Sequence, residues 1–356
     1  MNQSEILAFY FYETTETQTS VIVYQTDDVI NDQLLYQLDV FLNCFLVQSL
    51  CVFGIVGNVI NIIVLSYHGL QGSTIMLLSL SVTDLLGSVF RQVRRLKCLV
   101  ATVDVPASVS LDTFGFVFFL LLDYWCLLLS IYLTTAIAIE RCMAISAPFH
   151  VANVFTPWRV KIMLASLCVY STVIMGPLCY RLTYTWALDP ASNVTVAYLI
   201  YTQFYVDNMD ILNTFTTIFH SNICTTLPLV IILICSLIII FKLIQERPQT
   251  LKKLSSTRSS AQKKMKDRKA VKMLLFVCIA TVFSCLPTAI LAIYIIYFKT
   301  ILLTGNLYYI FRSIEEVLYQ FNASVNFIIY VSLSSKFKRI YKNLFLSCFY
   351  HSNKLK

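Results

Sequence analysis

Three stretches of this 356-residue chain place ionisable side chains at helical intervals inside apolar sequence. In "FVFFLLLDYWCLLLSIYLTTAIAIERCMAI" (116–145), Asp123 is followed by Ser130 and Arg141 at 7 and 11 residues. At about 100° per residue the three return to one helix face within about 20°. Arg141 then lies ~27 Å from Asp123 along the axis. In "LSVTDLLGSVFRQVRRLK" (80–97), Asp84 is followed by Arg91 and Arg95 at 7 and 11 residues. Arg94 falls about 80° off that face. In "RSIEEVLYQFNASVN" (312–326), Arg312, Glu315 and Glu316 precede Asn322 and Asn326. An ideal helix puts Glu315 on the Asn322 face. Guanidinium forks suit carboxylates, so this is chemistry of ion pairing and of binding charged groups. Asp123 has two readings: an anchor for a ligand, or one half of an internal salt bridge to Arg91 or Arg95. Catalytic signatures are missing. The four His are scattered, the twelve Cys form no CxxC pair, and there is no HExxH, GxSxG or phosphate-binding Gly loop.

Charges like these demand explanation because of the elements that carry them. The chain is 58% hydrophobic and 13% charged, against about 25% charged in soluble proteins. A bilayer core needs roughly 20 helical residues, and such runs occur near 40–66, 73–97, 111–141, 158–180, 219–244, 269–298 and 307–333. The expected fold is an all-α membrane protein, a seven-transmembrane helix bundle with a short amphipathic cytoplasmic helix. Residues 1–39 form an acidic extracellular tail with seven acids and no Lys or Arg. Residues 40–333 form the helical domain, and 334–356 the cytoplasmic helix and tail. Of the 27 cations, 20 fall in 242–272, after 333, or at Arg141, Arg159 and Lys161. Cations in short loops stay cytoplasmic, so the N-terminus is expected outside and the C-terminus inside, without a cleaved leader. These basic segments suit an anionic inner leaflet and carry no nucleic-acid motif. Phe337, Ile340, Tyr341, Leu344 and Phe345 recur at helical spacing among Lys and Arg, which predicts a helix lying on membrane lipids. Cys348 beyond it is a palmitoylation candidate. Asn2 and Asn193 are glycosylation acceptors on the outer side. Ser255, Ser256, Thr257, Ser259 and Ser260 in the basic loop are phosphorylation candidates.

From about 45 to 346 the chain resembles the rhodopsin-like (class A) G-protein-coupled receptors. The resemblance rests on Gly57-Asn58-Val59, "LSVTDLL" (80–86), "AIAIERCMAI" (136–145), Pro228, "FSCLP" (283–287) and "NFIIY" (326–330), in order and at the family's spacing. "PFHVANVFTPWR" (148–159) is similar to molluscan orphan and chemosensory peptide-type receptors. The resemblance implies a plasma-membrane protein with an extracellular ligand and a heterotrimeric G protein as partners. It implies no enzymatic activity and no cofactor beyond an allosteric sodium ion at Asp84, Ser130, Asn322 and Asn326. The bland counterpart of that pocket is a hydrogen-bonded polar core with water. Glu140-Arg141 matches the family's cytoplasmic switch, with Asp267 as acidic partner and Tyr330 in the conserved motif of span seven. Asp123 matches a position that holds ligand ammonium groups, and Glu316 one that touches peptide ligands. With Arg91, Arg94 and Arg95 nearby, a carboxylate-bearing small molecule or a peptide fits better than a plain amine.

Several departures stand out. Phe116 occupies the place of the family's extracellular Cys, and no Cys lies in 182–218. Cys98 with Cys179 is the substitute pairing on offer. Cys285 replaces the span-six tryptophan, and Phe327 the proline of span seven. Gln320 stands where opsins have their retinal lysine, which argues against a photoreceptor. A seven-span channel or transporter is the alternative function, but the internal repeat it would want is missing.

Overall fold

The computed structural model describes residues 12–15, 18–21, 31–67, 71–190, 192–252, 258–298 and 306–346. Seven long helices dominate: α1 (Gln33–Ser66), α2 (Gly72–Val100), α3 (Val105–Ser146), α4 (Pro157–Tyr180), α5 (Met209–Gln245), α6 (Arg258–Phe298) and α7 (Asn306–Leu333). Among the described residues, six are long and apolar enough to cross a membrane, α6 through its Val271–Leu291 stretch. The seventh, α7, spans 28 residues and turns Glu315, Gln320, Asn322, Ser324 and Asn326 into the bundle. A short helix α8 (Ser335–Tyr341) follows, capped by Ser334 Oγ accepting from the Phe337 amide.

Starts and stops follow local chemistry. Asn31 accepts from the Gln33 amide at the head of α1. Asp104 accepts from Ala107 N, and Thr156 from Arg159 N, at the heads of α3 and α4. Pro106 and Pro157 sit in the first turns, where a missing N–H is harmless. Helix α1 begins seven residues inside the segment expected to be tail. Three outer segments widen into π-helical turns: Val40–Val47 in α1, Gly115–Phe119 in α3 and Phe215–Thr226 in α5.

Helix α3 is central, packing on α2, α4, α5 and α6, while α7 closes the ring between α1 and α6. The half of the bundle nearer Arg141 and α8 holds the largest apolar core, with Val64, Met76, Leu80, Leu133, Ile137, Leu274 and Tyr330 buried. Phe337 of α8 is 1% exposed and packs its ring 5.7 Å from that of Tyr330. The first apolar residue of the amphipathic helix therefore anchors to the bundle rather than to lipid. Gly57 lets α1 approach α7 closely, since a Cβ there would lie 3.0 Å from Phe327 Cβ.

Two antiparallel hairpins add to the helices. The first pairs β1 (Tyr12–Thr15) with β2 (Gln18–Val21). The second pairs β3 (Leu182–Asp189) with β4 (Val194–Tyr201). Its Thr, Tyr, Val and Ile content suits a strand, and its turn puts exposed Asn193 at φ 54°, a region Asn tolerates. Thr113 Oγ1 donates to Ala197 O (2.8 Å) and Ala197 N donates to Ser110 Oγ (3.1 Å). These bonds tie β4 to the outer end of α3, where the family bridge would be.

The cysteine pairing differs from the sequence expectation. Cys98 bonds to Cys44, not to Cys179, across a Cα–Cα distance of 5.5 Å. Cys44 and Cys98 lie on the adjacent outer ends of α1 and α2, whereas Cys179 ends α4 and is free and exposed.

Candidate functional site

The outer third of the bundle contains a linked ionic cluster. Arg91 grips Asp123 with two parallel bonds, Nε to Oδ2 (3.0 Å) and Nη2 to Oδ1 (2.6 Å). Its Nη1 donates to Gln320 Oε1 on α7 (2.9 Å). Arg94 bridges two acids, reaching Asp123 Oδ2 and Glu316 Oε1 at 3.0 Å each. Arg95 pairs with Glu316. The three arginines and Asp123 are each no more than 5% exposed. Such charge-assisted forks are the strong form of ion pairing. A second pair, Arg312 with Glu315 at 2.5 Å, borders the cluster, and the same guanidinium lies over the Tyr124 ring.

Phe116 replaces the family cysteine with a different task. Its ring lies 5.2 Å from the Arg94 guanidinium carbon, in cation–π range. Gly115 beside it leaves room, since a Cβ would meet Arg94 Cα and Cγ at 3.4 Å.

Asp123 is thus paired inside the protein with Arg91, one of the two partners expected, and also with Arg94, while Arg95 pairs with Glu316. The long arm of Arg94 spans its offset from that face and reaches Asp123 and Glu316 together, while Arg95 sits at the C-cap of the regular helix. The two glutamates separate as well: Glu315 is buried against Arg312, and Glu316 faces Arg94 and Arg95.

One layer deeper, the four residues expected around a sodium ion converge. Asp84 Oδ1 accepts from Ser130 Oγ (2.8 Å), and Oδ2 accepts from Asn326 Nδ2 (2.7 Å). Asn322 Oδ1 accepts from Thr281 Oγ1 (3.0 Å). Asn58 bonds to the α7 backbone at Ala323 O (2.8 Å) rather than to Asp84. Gln320, unremarked in sequence except as the missing lysine, is a hub: besides Arg91 it holds Ser88, Ser324 and Leu50 O. A buried amide with both ends occupied ties α1, α2 and α7 together.

At the C-terminal end of α3, Arg141 Nε lies 2.7 Å from Glu140 Oε2, close as an ion pair though not aligned as a hydrogen bond. Ser73 Oγ of α2 donates to the other Glu140 oxygen (2.9 Å). The Tyr330 hydroxyl is buried without a hydrogen-bond partner among the described residues. Asn2, Cys348, Ser255, Ser256 and Thr257 lie outside the described residues, as do the side chains of Ser259, Ser260 and Asp267.

A seven-helix membrane bundle with a buried ionic cluster at one end, a middle polar layer and a Glu-Arg pair at the other end defines the class. The model of the 7-transmembrane receptor (rhodopsin family) matches residues 57–330, and the chain belongs to that family of multi-pass plasma-membrane receptors. No curated protein sequence matches the chain.

Proposed function

We propose that this receptor binds an extracellular amino acid, peptide or other carboxylate-bearing ligand at the Arg91–Arg94–Arg95–Asp123–Glu316 cluster and activates a heterotrimeric G protein. The N-terminus is outside and the C-terminus cytoplasmic, as the charge asymmetry requires. The observation that carries the ligand reading is unused donor capacity. Arg94 Nε and Arg95 Nε are buried without a hydrogen-bond acceptor among the described residues, and a buried unmet donor costs about 1–3 kcal/mol. A ligand carboxylate supplies that acceptor. A ligand of both signs fits best, because its ammonium group takes over Glu316 as its carboxylate takes the arginines. A plain amine meets three guanidinium groups first.

Activation follows from differential affinity for two states of the bundle. Drawing Arg94 from Asp123 to the ligand removes one of the two arginines that tie α2 to α3 and loosens that contact. The Glu140–Arg141 pair at the other end of α3 then opens, leaving Arg141 for the G protein. The test is a screen divided into amines, carboxylates and short peptides, read by nucleotide exchange on co-expressed G proteins. Carboxylates or peptides score, and Arg95→Ala weakens their potency at unchanged surface level. Activation by simple amines alone, or unaltered potency in Arg95→Ala, refutes the reading.

A further inference from the structure

The family resemblance calls for a sodium ion beside Asp84. The donor atoms around Asp84 are oxygens of a kind that suits a hard monovalent ion, but the charges do not fit one. A single small cavity is lined by Asp84, Ser130 and Asn322 and also by Arg91 and Asp123. The arginine stands about two helical turns outward on the same helix, ~10 Å along the axis from Asp84. Its guanidinium spans α2, α3 and α7 through Asp123 and Gln320 and forms the outer wall of the space an ion would occupy.

The charges of this buried group balance without an added ion. Arg95 is matched by Glu316 and Arg94 by Asp123. The charge of Arg91, shared with Asp123, is what remains to offset Asp84. Asp39, half-buried at the mouth and accepting from Asn43 (2.6 Å), acts on Arg95 at the far end of the cluster and not on Asp84. Hydrogen bonding is also met from within. Both Asp84 oxygens have donors, and Asn322 Oδ1 is taken by Thr281. Only Asn326 Oδ1 lacks a partner there among the described residues, and one amide oxygen replaces little of an ion's hydration shell. We infer that Arg91 is the resident counter-ion of Asp84, a tethered cation that does the electrostatic work of a bound sodium and excludes it.

This inference concerns the unliganded chain and stands apart from the ligand reading, so its test needs no agonist. The purified full-length protein is unfolded by heat in equal concentrations of sodium, potassium and choline chloride. Wild type is expected to give the same midpoint in all three. Arg91→Gln leaves Asp84 without its counter-ion and is expected to gain a saturable, sodium-specific rise in midpoint, which Asp84→Asn added to it abolishes. A saturable sodium-specific rise in wild type overturns the inference, and so does a folded Arg91→Gln protein indifferent to sodium. Should Arg91→Gln not fold, the wild-type titration decides alone: coinciding curves uphold the inference and a sodium-specific rise overturns it.

Discussion

Replacing Asp123 by Asn keeps the side chain's outline and removes its charge. Three hydrogen bonds from cations converge on this carboxylate, two from Arg91 and one from Arg94. The amide that replaces it can accept at one atom only, and its NH2 group faces a guanidinium. Removing one partner of a buried ion pair costs about 3–5 kcal/mol, since the remaining charge stays desolvated. Arg94 retains Glu316, whereas Arg91 retains one hydrogen bond, to Gln320, and the charge of Asp84 across the cavity, so the cost falls mainly on Arg91. At about 2–4 °C per kcal/mol for domains of 150–250 residues, and less for a longer chain, the midpoint falls by ~5–15 °C. The assay is thermal unfolding of detergent-purified protein, with surface expression alongside. The double change Arg91→Met with Asp123→Leu removes both charges and keeps the volume, and it recovers at least half of the loss, as buried pairs replaced by apolar groups do. A single mutant within about 1 °C of wild type, or a double mutant no better than the single, refutes the argument that buried charge balance holds this cluster together.

Other outcomes follow from the same structure. Arg141→Ala, made at the pair with Glu140, reaches the surface and loses agonist-stimulated nucleotide exchange; full exchange sinks the role given to Arg141. Gly54→Ala places a Cβ 2.6 Å from Ser324 Oγ and 2.7 Å from Gln320 Nε2. Because Gln320 is fully buried and bonded at both ends, overpacking there lowers stability by about 1–3 kcal/mol, seen as a lower unfolding midpoint. Cys44→Ser removes the α1–α2 bridge and costs about 2–4 kcal/mol, whereas Cys179→Ser leaves the midpoint unchanged; the reverse pattern argues for a different pairing.

Much of this protein is legible in its sequence because the forces involved are local. The length of an apolar run sets whether it can span a bilayer, and the penalty for a buried charge marks Asp84, Asp123 and the arginines as inward-facing wherever their neighbours lie. The phase argument also holds where the helix is regular. Asp123, Ser130 and Arg141 share one unbroken α-helical stretch, Leu120–Ser146, and Asp84 and Arg91 share another. Partners are a different matter. Arg94, off the expected face, reaches Asp123 through the length of its side chain, while Arg95 pairs with Glu316. Cys98 met Cys44 because α1 and α2 are neighbours at their outer ends, a fact no spacing contains. Gln320 became a hub only when three helices brought Ser88, Leu50 and Arg91 around it. Burial is decided by each residue's own transfer free energy, which composition carries, whereas pairing is decided by helix rotation and side-chain reach, which exist only once the bundle has closed.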